Sequence, residues 1–410
     1  MTPLDLDFVR AQFPAYAEPT LRGQAFFENA GGSYACRQVI ELLQEYYRRL
    51  KVQPSYPYPA STEAGEWMDA AHERLAEYLG VGADELHFGP STSQNSYVLA
   101  QACRGLLRAG DEVIVTNQDH EANSGVWRRL AQDGVVLREW RVDPGSGALD
   151  PAALEALLNE RTRLVVFPHC SNIVADVNPV AQITARVRAA GALTVVDGVS
   201  YAPHGLPDLH ALGADIYLFS LYKTFGPHQG LMVLKPALLE RLANQGHYFN
   251  AALPRKRLTP AGPDHAQIAA ARGIAGYFDA LDAHHHAGAA AAGRAQRVRE
   301  LLHGAEQPLL ARLLDGLGQL RGLRVLGPTD AARRAATVAV QPLRQAPASL
   351  VPALAQRGIL AASGHFYAVR LLEALGVDPA QGVLRLSLVH YNSAAEVDRL
   401  LAALDEVLAA

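Results

Sequence analysis

The sequence predicts an α/β protein: a mainly parallel sheet covered by helices on both faces, followed by a smaller α+β domain. Two observations carry this expectation. Short apolar runs such as Glu112 to Thr116 (EVIVT) and Arg163 to Phe167 (RLVVF) alternate with amphipathic stretches, the pattern of strands buried on both faces. Beyond an alanine-rich stretch ending near Leu314 the order changes to strand, strand, helix, strand, helix.

Taken in order, Ala35 to Leu50 and Ala64 to Leu79 read as amphipathic helices around a Pro/Tyr-rich loop, Pro54 to Pro59. Leu86 to Phe88 reads as a strand, and Ser91-Thr92-Ser93 opens a helix over Gln94 to Leu107. The central alternation then runs strand Glu112 to Thr116, helix Ser124 to Gln132, strand Val135 to Val142 and helix Asp150 to Asn159. It continues with strand Arg163 to Phe167, helix Val180 to Ala190, and strands Leu193 to Val196, Asp215 to Phe219 and Leu231 to Leu234. Ala266 to Ala283 is helical. The last pieces are Leu323 to Leu326, Ala336 to Gln341, Ser349 to Gln356, Val383 to Ser387 and Ala394 to Leu408, and the domain boundary falls between residues 280 and 295. No fixed-period repeat is present.

Composition narrows the function. The 410 residues are 49% hydrophobic and 19% charged, enough apolar material for a core and not the signature of disorder. The net charge of −4 lacks the basic excess of a general nucleic-acid binder. Cys36, Cys103 and Cys170 form neither a disulfide framework nor a metal pair, so a reducing, cytoplasmic setting is expected. No secretory signal pattern and no membrane span are expected. His284-His285-His286 are consecutive and cannot share one helical face, and no metal is expected. There is no GxxxxGK[ST] loop, HExxH pair or GxSxG elbow. That disfavours a nucleotide-binding α/β protein of that kind.

Four lysines, Lys51, Lys223, Lys235 and Lys256, stand against 33 arginines. A reaction that needs a deprotonatable amine has few candidates, because arginine stays charged. One of them sits in a telling place. The strand Leu193 to Val196 leads into Asp197, and the next strand leads into Ser220 with Lys223 three residues on. Parallel neighbours would present both groups at one sheet edge, where such folds bind ligands. A carboxylate there is costly unless paired. Pyridoxal phosphate pairs with both: its aldehyde forms a Schiff base with lysine, and a carboxylate keeps its ring nitrogen protonated. Ser91-Thr92-Ser93, at a helix N-terminus, suits the phosphate.

The chain resembles a fold-type I pyridoxal-phosphate enzyme of aminotransferase class V, in its cysteine desulfurase-like branch. The resemblance rests on ENAGG (Glu28 to Gly32), GPSTSQN (Gly89 to Asn95), DHEAN (Asp119 to Asn123) and HCSNIVADVNPV (His169 to Val180). It extends through VVDGVSYAPHG, SLYKTFGPHQG with its Ser-x-x-Lys-x-x-Gly-Pro motif, and LRLSLVHYN (Leu384 to Asn392). It implies a seven-stranded sheet in a large domain spanning 21–285, a small domain at 286–410, and residues 1–20 packed on the small domain. It implies a homodimer and a small-molecule amino acid substrate. Lys223 would carry the cofactor and shuttle protons, Asp197 would face the pyridine nitrogen, and His120 would stack on the ring. Asn172 and Ser200 would lie near the ring hydroxyl, and Thr92, Ser93, Ser220 and Tyr222 around the phosphate. Arg385 would clamp the substrate carboxylate, with Asn29 and Tyr367 beside the substrate.

Departures from the family shape the expected reaction. Tyr367, in Ser363-Gly364-His365-Phe366-Tyr367, stands where desulfurases carry the sulfur-accepting cysteine, and Cys170 is the one thiol near the cofactor segments. Ser200 replaces a glutamine, Tyr222 a histidine, and Gly262-Pro263-Asp264-His265 a Gly-Thr-Pro-Asn turn. Tyr56, Tyr58, Phe366 and Tyr367 are candidates for aromatic bulk in the pocket. The expected chemistry is formation of an external aldimine and a Cα carbanion, followed by β-elimination of a sulfur substituent. Transamination and epimerisation share the first steps, and a non-catalytic partner protein is the alternative of another class.

Overall fold

The computed structural model describes residues 3–409. Its strands are β1 (Ala25–Phe26), β2 (Leu86–Gly89), β3 (Glu112–Thr116), β4 (Val136–Trp140), β5 (Thr162–Pro168), β6 (Leu193–Asp197), β7 (Ile216–Ser220) and β8 (Gly230–Leu234). The C-terminal strands are β9 (Leu323–Val325), β10 (Thr337–Pro342), β11 (Ile359–Leu360), β12 (Ala362–Gly364) and β13 (Val383–Ser387). Seven of them form one sheet in the order β2-β8-β7-β6-β5-β3-β4. It is parallel except for β8, which runs antiparallel to both its neighbours.

The period of two within each strand divides the core. Ile114, Val165, Phe167, Val196, Tyr217 and Phe219 point to one face, and Val113, Val115, Leu164, Val166, Val195 and Leu218 to the other. Helices Pro59–Leu79, Val180–Ala189 and Arg272–His285 cover the first face; Thr92–Cys103, Glu121–Arg128 and Pro236–Arg241 cover the second. This two-sided burial is why the central strands are continuously apolar. The edge strand β4 is the exception, its first four residues alternating between exposed and half-buried.

The small domain is a four-stranded antiparallel sheet, β12-β13-β10-β9, packed on Pro347–Ala355, Ala394–Ala409 and the C-terminal half of the helix Arg294–Gln319. That long helix belongs to both cores: Val298, Leu301 and Leu302 pack into the large one, Leu310, Leu313 and Leu317 into the small one. Pro308 lies between these groups, where its missing N–H leaves the Gly304 carbonyl without a helical donor. Glu306, almost fully buried, ties the seam by accepting from the His390 amide at 3.0 Å and meeting His204 Nδ1 at 2.7 Å.

The N-terminal segment touches both domains rather than the small one alone. Arg10 pairs with Glu396 at 2.8 Å, while Phe13 packs its ring against Phe225, Tyr277 and Tyr391. The histidine run serves this docking: His284 stacks on Phe8 at 3.8 Å and meets Asp5 at 2.9 Å. β1 then pairs with β11, so residues 25 and 26 join the small domain before the chain enters the large one.

Gly198, directly after β6, permits a close approach. A Cβ there would lie 2.1 Å from the Tyr217 hydroxyl, and Tyr217 is buried and bonded to His169 Nδ1 at 2.8 Å. The ring has nowhere to go. Gly198→Ala is expected to cost about 1–3 kcal/mol in urea unfolding, the usual penalty of overpacking; an unchanged midpoint would contradict this packing.

Candidate active site

The C-terminal ends of β5, β6 and β7 open onto one cleft, lined by Thr92, Ser93, His120, Cys170, Asn172, Asp197, Ser200, Ser220, Tyr222 and Lys223 among others. Nine of the residues expected from sequence thus converge here. Three do not line it: Arg385, Asn29 and Tyr367.

Asp197 is the last residue of β6, with 7% of its surface exposed. Its Oδ1 accepts the Val199 amide at 2.8 Å, which leaves the second oxygen for a ring N–H. Burial pushes its carboxyl up to about 6, while the Val199 amide and Lys223 pull it down. Lys223 ends a short 3-10 turn, Leu221–Lys223, just after β7. Burial, with Arg385 nearby, pushes its amine down to about 8, against the pull of Asp197 and Glu28. The turn is held by contacts with residues 33–36: the Ser33 hydroxyl oxygen accepts the Phe225 amide at 2.9 Å, and the Cys36 amide donates to the Phe225 carbonyl at 3.0 Å. Phe225 itself is buried at φ +62°, a strained conformation outside glycine.

Thr92 and Ser93 begin a twelve-residue helix whose first amides have no intrahelical acceptor. The Thr92 and Ser220 hydroxyls meet at 2.8 Å, joining that helix to the end of β7. Two hydroxyls, free amides and a helix dipole suit an anion. Tyr222 stacks on His228 at 4.6 Å.

His120 caps the helix Glu121–Arg128. Its Nδ1 accepts the Ala122 amide at 3.0 Å, so the ring hydrogen sits on Nε2. Burial, then Lys223 and Arg385, pushes it down to about 3, and it is neutral near pH 7. Asp119 fixes this turn by accepting from Thr116 Oγ1 at 2.6 Å and Asn123 Nδ2 at 2.9 Å. Burial pushes its carboxyl up to about 8. Only its neighbourhood to His120 in the sequence marked it.

Asn172 donates from Nδ2 to the Phe366 carbonyl at 2.9 Å, and its Oδ1 is buried without a partner. Cys170 lies at the cleft, but its thiol donates to the Ala175 carbonyl at 3.2 Å and burial pushes it up to about 12. It is not a thiolate near neutral pH.

The remaining expected residues are placed differently. Asn29, 2% exposed, spends its amide on the Phe26 and Ser387 carbonyls at 3.2 and 2.8 Å and accepts from the Tyr391 hydroxyl. It fastens the chain after β1 to the small domain. Tyr367 is 65% exposed, its ring 5.1 Å from that of His120, on a loop where Phe366 and Tyr367 have φ of +45° and +57°. Arg385 on β13 is buried, and its Nη2 holds Glu28 Oε1 at 2.8 Å. The fork expected for a substrate carboxylate already grips a protein carboxylate. Sequence reading missed Glu28, although ENAGG carried it. Tyr56 and Tyr58 are exposed and outside the cleft-lining set.

A lysine and a buried carboxylate thus stand on adjacent strand ends, with an anion seat beside them. Residues 25–400 match the family described as Aminotransferase class-V, and the chain belongs to that family. Among its relatives is the "Aminotransferase-like protein FGM3" of Gibberella zeae, 35% identical over 98% of both chains. A cysteine desulfurase of Serratia proteamaculans is 31% identical, also over 98% of both. The fold is that of the cysteine desulfurase from Thermococcus onnurineus, with a TM-score of 0.85 and 22% identity over 100% of this chain and 99% of that one. Among the described residues, no helix is long and apolar enough to cross a membrane.

The family normally binds pyridoxal phosphate, and the residues fit it. Asp197 offers a free oxygen, Asn172 a buried acceptor without a partner, and Thr92, Ser93 and Ser220 an anion seat.

Proposed function

We propose that this chain is a pyridoxal-phosphate enzyme acting on an amino acid or amine, and that its reaction is β-elimination of the C–S lyase kind. The observation that carries the reading is the Lys223–Asp197 pair facing one cleft beside the Thr92–Ser220 anion seat. When bound, the cofactor supplies an electron sink for a carbanion. The chain's residues supply the rest. Thr92, Ser93 and Ser220 hold the phosphate, and Asp197, charged above about pH 6, holds a proton on the ring nitrogen. Asn172 Oδ1 takes the ring hydroxyl. Lys223, neutral in a useful fraction near its value of about 8, removes and returns the α-proton. His120 flanks them as a neutral ring with its hydrogen on Nε2.

Elimination is preferred to sulfur transfer because the sulfur-accepting position of the family is read as Tyr367. Each cysteine is buried, with its thiol pushed up to about 12. A substrate with sulfur on its β-carbon would then release a thiol or sulfide, pyruvate and ammonia. Transamination is the second reading, favoured by the aminotransferase-like relative. A screen of amino acids and thioethers tests the choice. Pyruvate with ammonia supports elimination, and a keto acid with the aminated cofactor supports transfer. An inverted substrate with nothing released supports epimerisation. No turnover, with Lys223→Ala matching wild type, supports a partner protein. A homodimer is proposed from the family likeness, to be read by light scattering.

The depressed lysine gives a pH prediction. Only the neutral amine adds to an aldehyde, so covalent cofactor uptake by the apoprotein should rise with pH through a midpoint near 8. A midpoint at the ordinary lysine value of 10.5 would contradict burial of this amine.

A further inference from the structure

Two consecutive residues of the small domain, Phe366 and Tyr367, have φ of +45° and +57°, a conformation that costs energy outside glycine and persists where the surroundings impose it. The bonds that impose it come from the large domain. Asn172 Nδ2 donates to the Phe366 carbonyl at 2.9 Å, and the Glu121 amide donates to the Tyr367 carbonyl at 2.7 Å. Three residues on, Arg370 of the helix Val369–Ala374 pairs with the Glu121 carboxylate. Within the loop the Tyr367 amide donates to His365 Nδ1 at 3.0 Å, and the two rings meet edge to face with centroids 5.8 Å apart. So held, the Tyr367 ring has its centroid 5.1 Å from that of His120. His120 lines the cleft and Tyr367 does not. With 65% of its surface exposed, Tyr367 is not placed by core packing.

We infer that Tyr367 is a positioning residue that acts through His120: strapped to the large domain by Asn172 and Glu121, its ring lies against His120 from the solvent side, fixing that ring's orientation at the cleft and shielding it from water. The inference rests on the proposed function and adds one residue to it. The His120 side chain has one hydrogen bond, from the Ala122 amide to Nδ1. That bond fixes one edge of the imidazole, and a second ring beside it fixes the plane. The contact uses the ring of Tyr367 and not its hydroxyl, so phenylalanine should replace it and alanine should not.

Two readouts test this in wild type, Tyr367→Ala and Tyr367→Phe. The first needs no cofactor: diethyl pyrocarbonate labelling of the cofactor-free full chain, followed by peptide mapping at His120. Tyr367→Ala is expected to label His120 about threefold faster or more, and Tyr367→Phe at about the wild-type rate. The second is titration with pyridoxal phosphate, read by absorbance. The alanine variant is expected to bind about three- to tenfold more weakly, the scale of one aromatic pair, and the phenylalanine variant within about twofold of wild type. Unchanged labelling in Tyr367→Ala overturns the shielding. Faster labelling with cofactor affinity still within about twofold overturns the positioning role. A phenylalanine variant as impaired as the alanine one overturns the inference by moving the effect to the hydroxyl. A wild-type chain that takes up no cofactor overturns the proposed function, and the positioning role with it, whatever the labelling shows.

Discussion

Lys223→Ala is expected to remove the covalent link to the cofactor and lower turnover by roughly 100- to 10,000-fold, the range of a lost general base. Lys223 is the one lysine that lines the cleft; Lys51, Lys235 and Lys256 are exposed. Two separate demands meet on its nitrogen. It must add to an aldehyde and later take a proton from carbon, and both need the neutral amine that burial favours. Lys223→Arg separates charge from basicity: it keeps the cation and should be as inactive as the alanine variant, because a guanidinium does not deprotonate. Visible absorbance after dialysis and turnover on the best substrate check both. An arginine variant with wild-type rates would overturn the assignment.

Asp197→Asn is expected to lower turnover by roughly 100- to 1,000-fold, the scale for loss of one preorganised electrostatic partner. The variant keeps the Val199 contact within reach and removes only the charge. The pH profile distinguishes this from a packing defect. Folding raises the carboxyl from the ordinary 3.8 to about 6, so the charged form is lost as pH falls through about 6. Wild-type activity should carry an acid limb there, and the asparagine variant should lack it. A variant with wild-type rate and an unaltered acid limb would show that Asp197 holds nothing on the ring.

The parts legible in the sequence were those with a local signature. β3 and β13 lie where EVIVT and VLRLS put them, because an apolar run buried on both faces is its own signal. Lys223 and Asp197 could be paired because adjacent parallel strands end on one edge. β1 and β11 were not legible: each has two residues, too few for any period, and each exists only through the other, more than three hundred positions away. The helix Pro59–Leu79 begins five residues before the expected Ala64, since Pro59 suits a first helical turn while its Pro/Tyr context reads as loop. The expected helix Ala266 to Ala283 is two helices, His265–Ala270 and Arg272–His285, divided at Ala271. Glu28 is the instructive miss. Arg385 was legible as a cation near the site, but its partner lies 357 positions away, and no spacing rule reaches that far.

The most direct measurement of the central claim is borohydride reduction of the protein saturated with pyridoxal phosphate, followed by peptide mass mapping. Four lysines make the answer unambiguous. The account predicts one pyridoxyl adduct per chain, on the peptide holding Lys223. An adduct confined to Lys51, Lys235 or Lys256, or none at saturating cofactor, would contradict it.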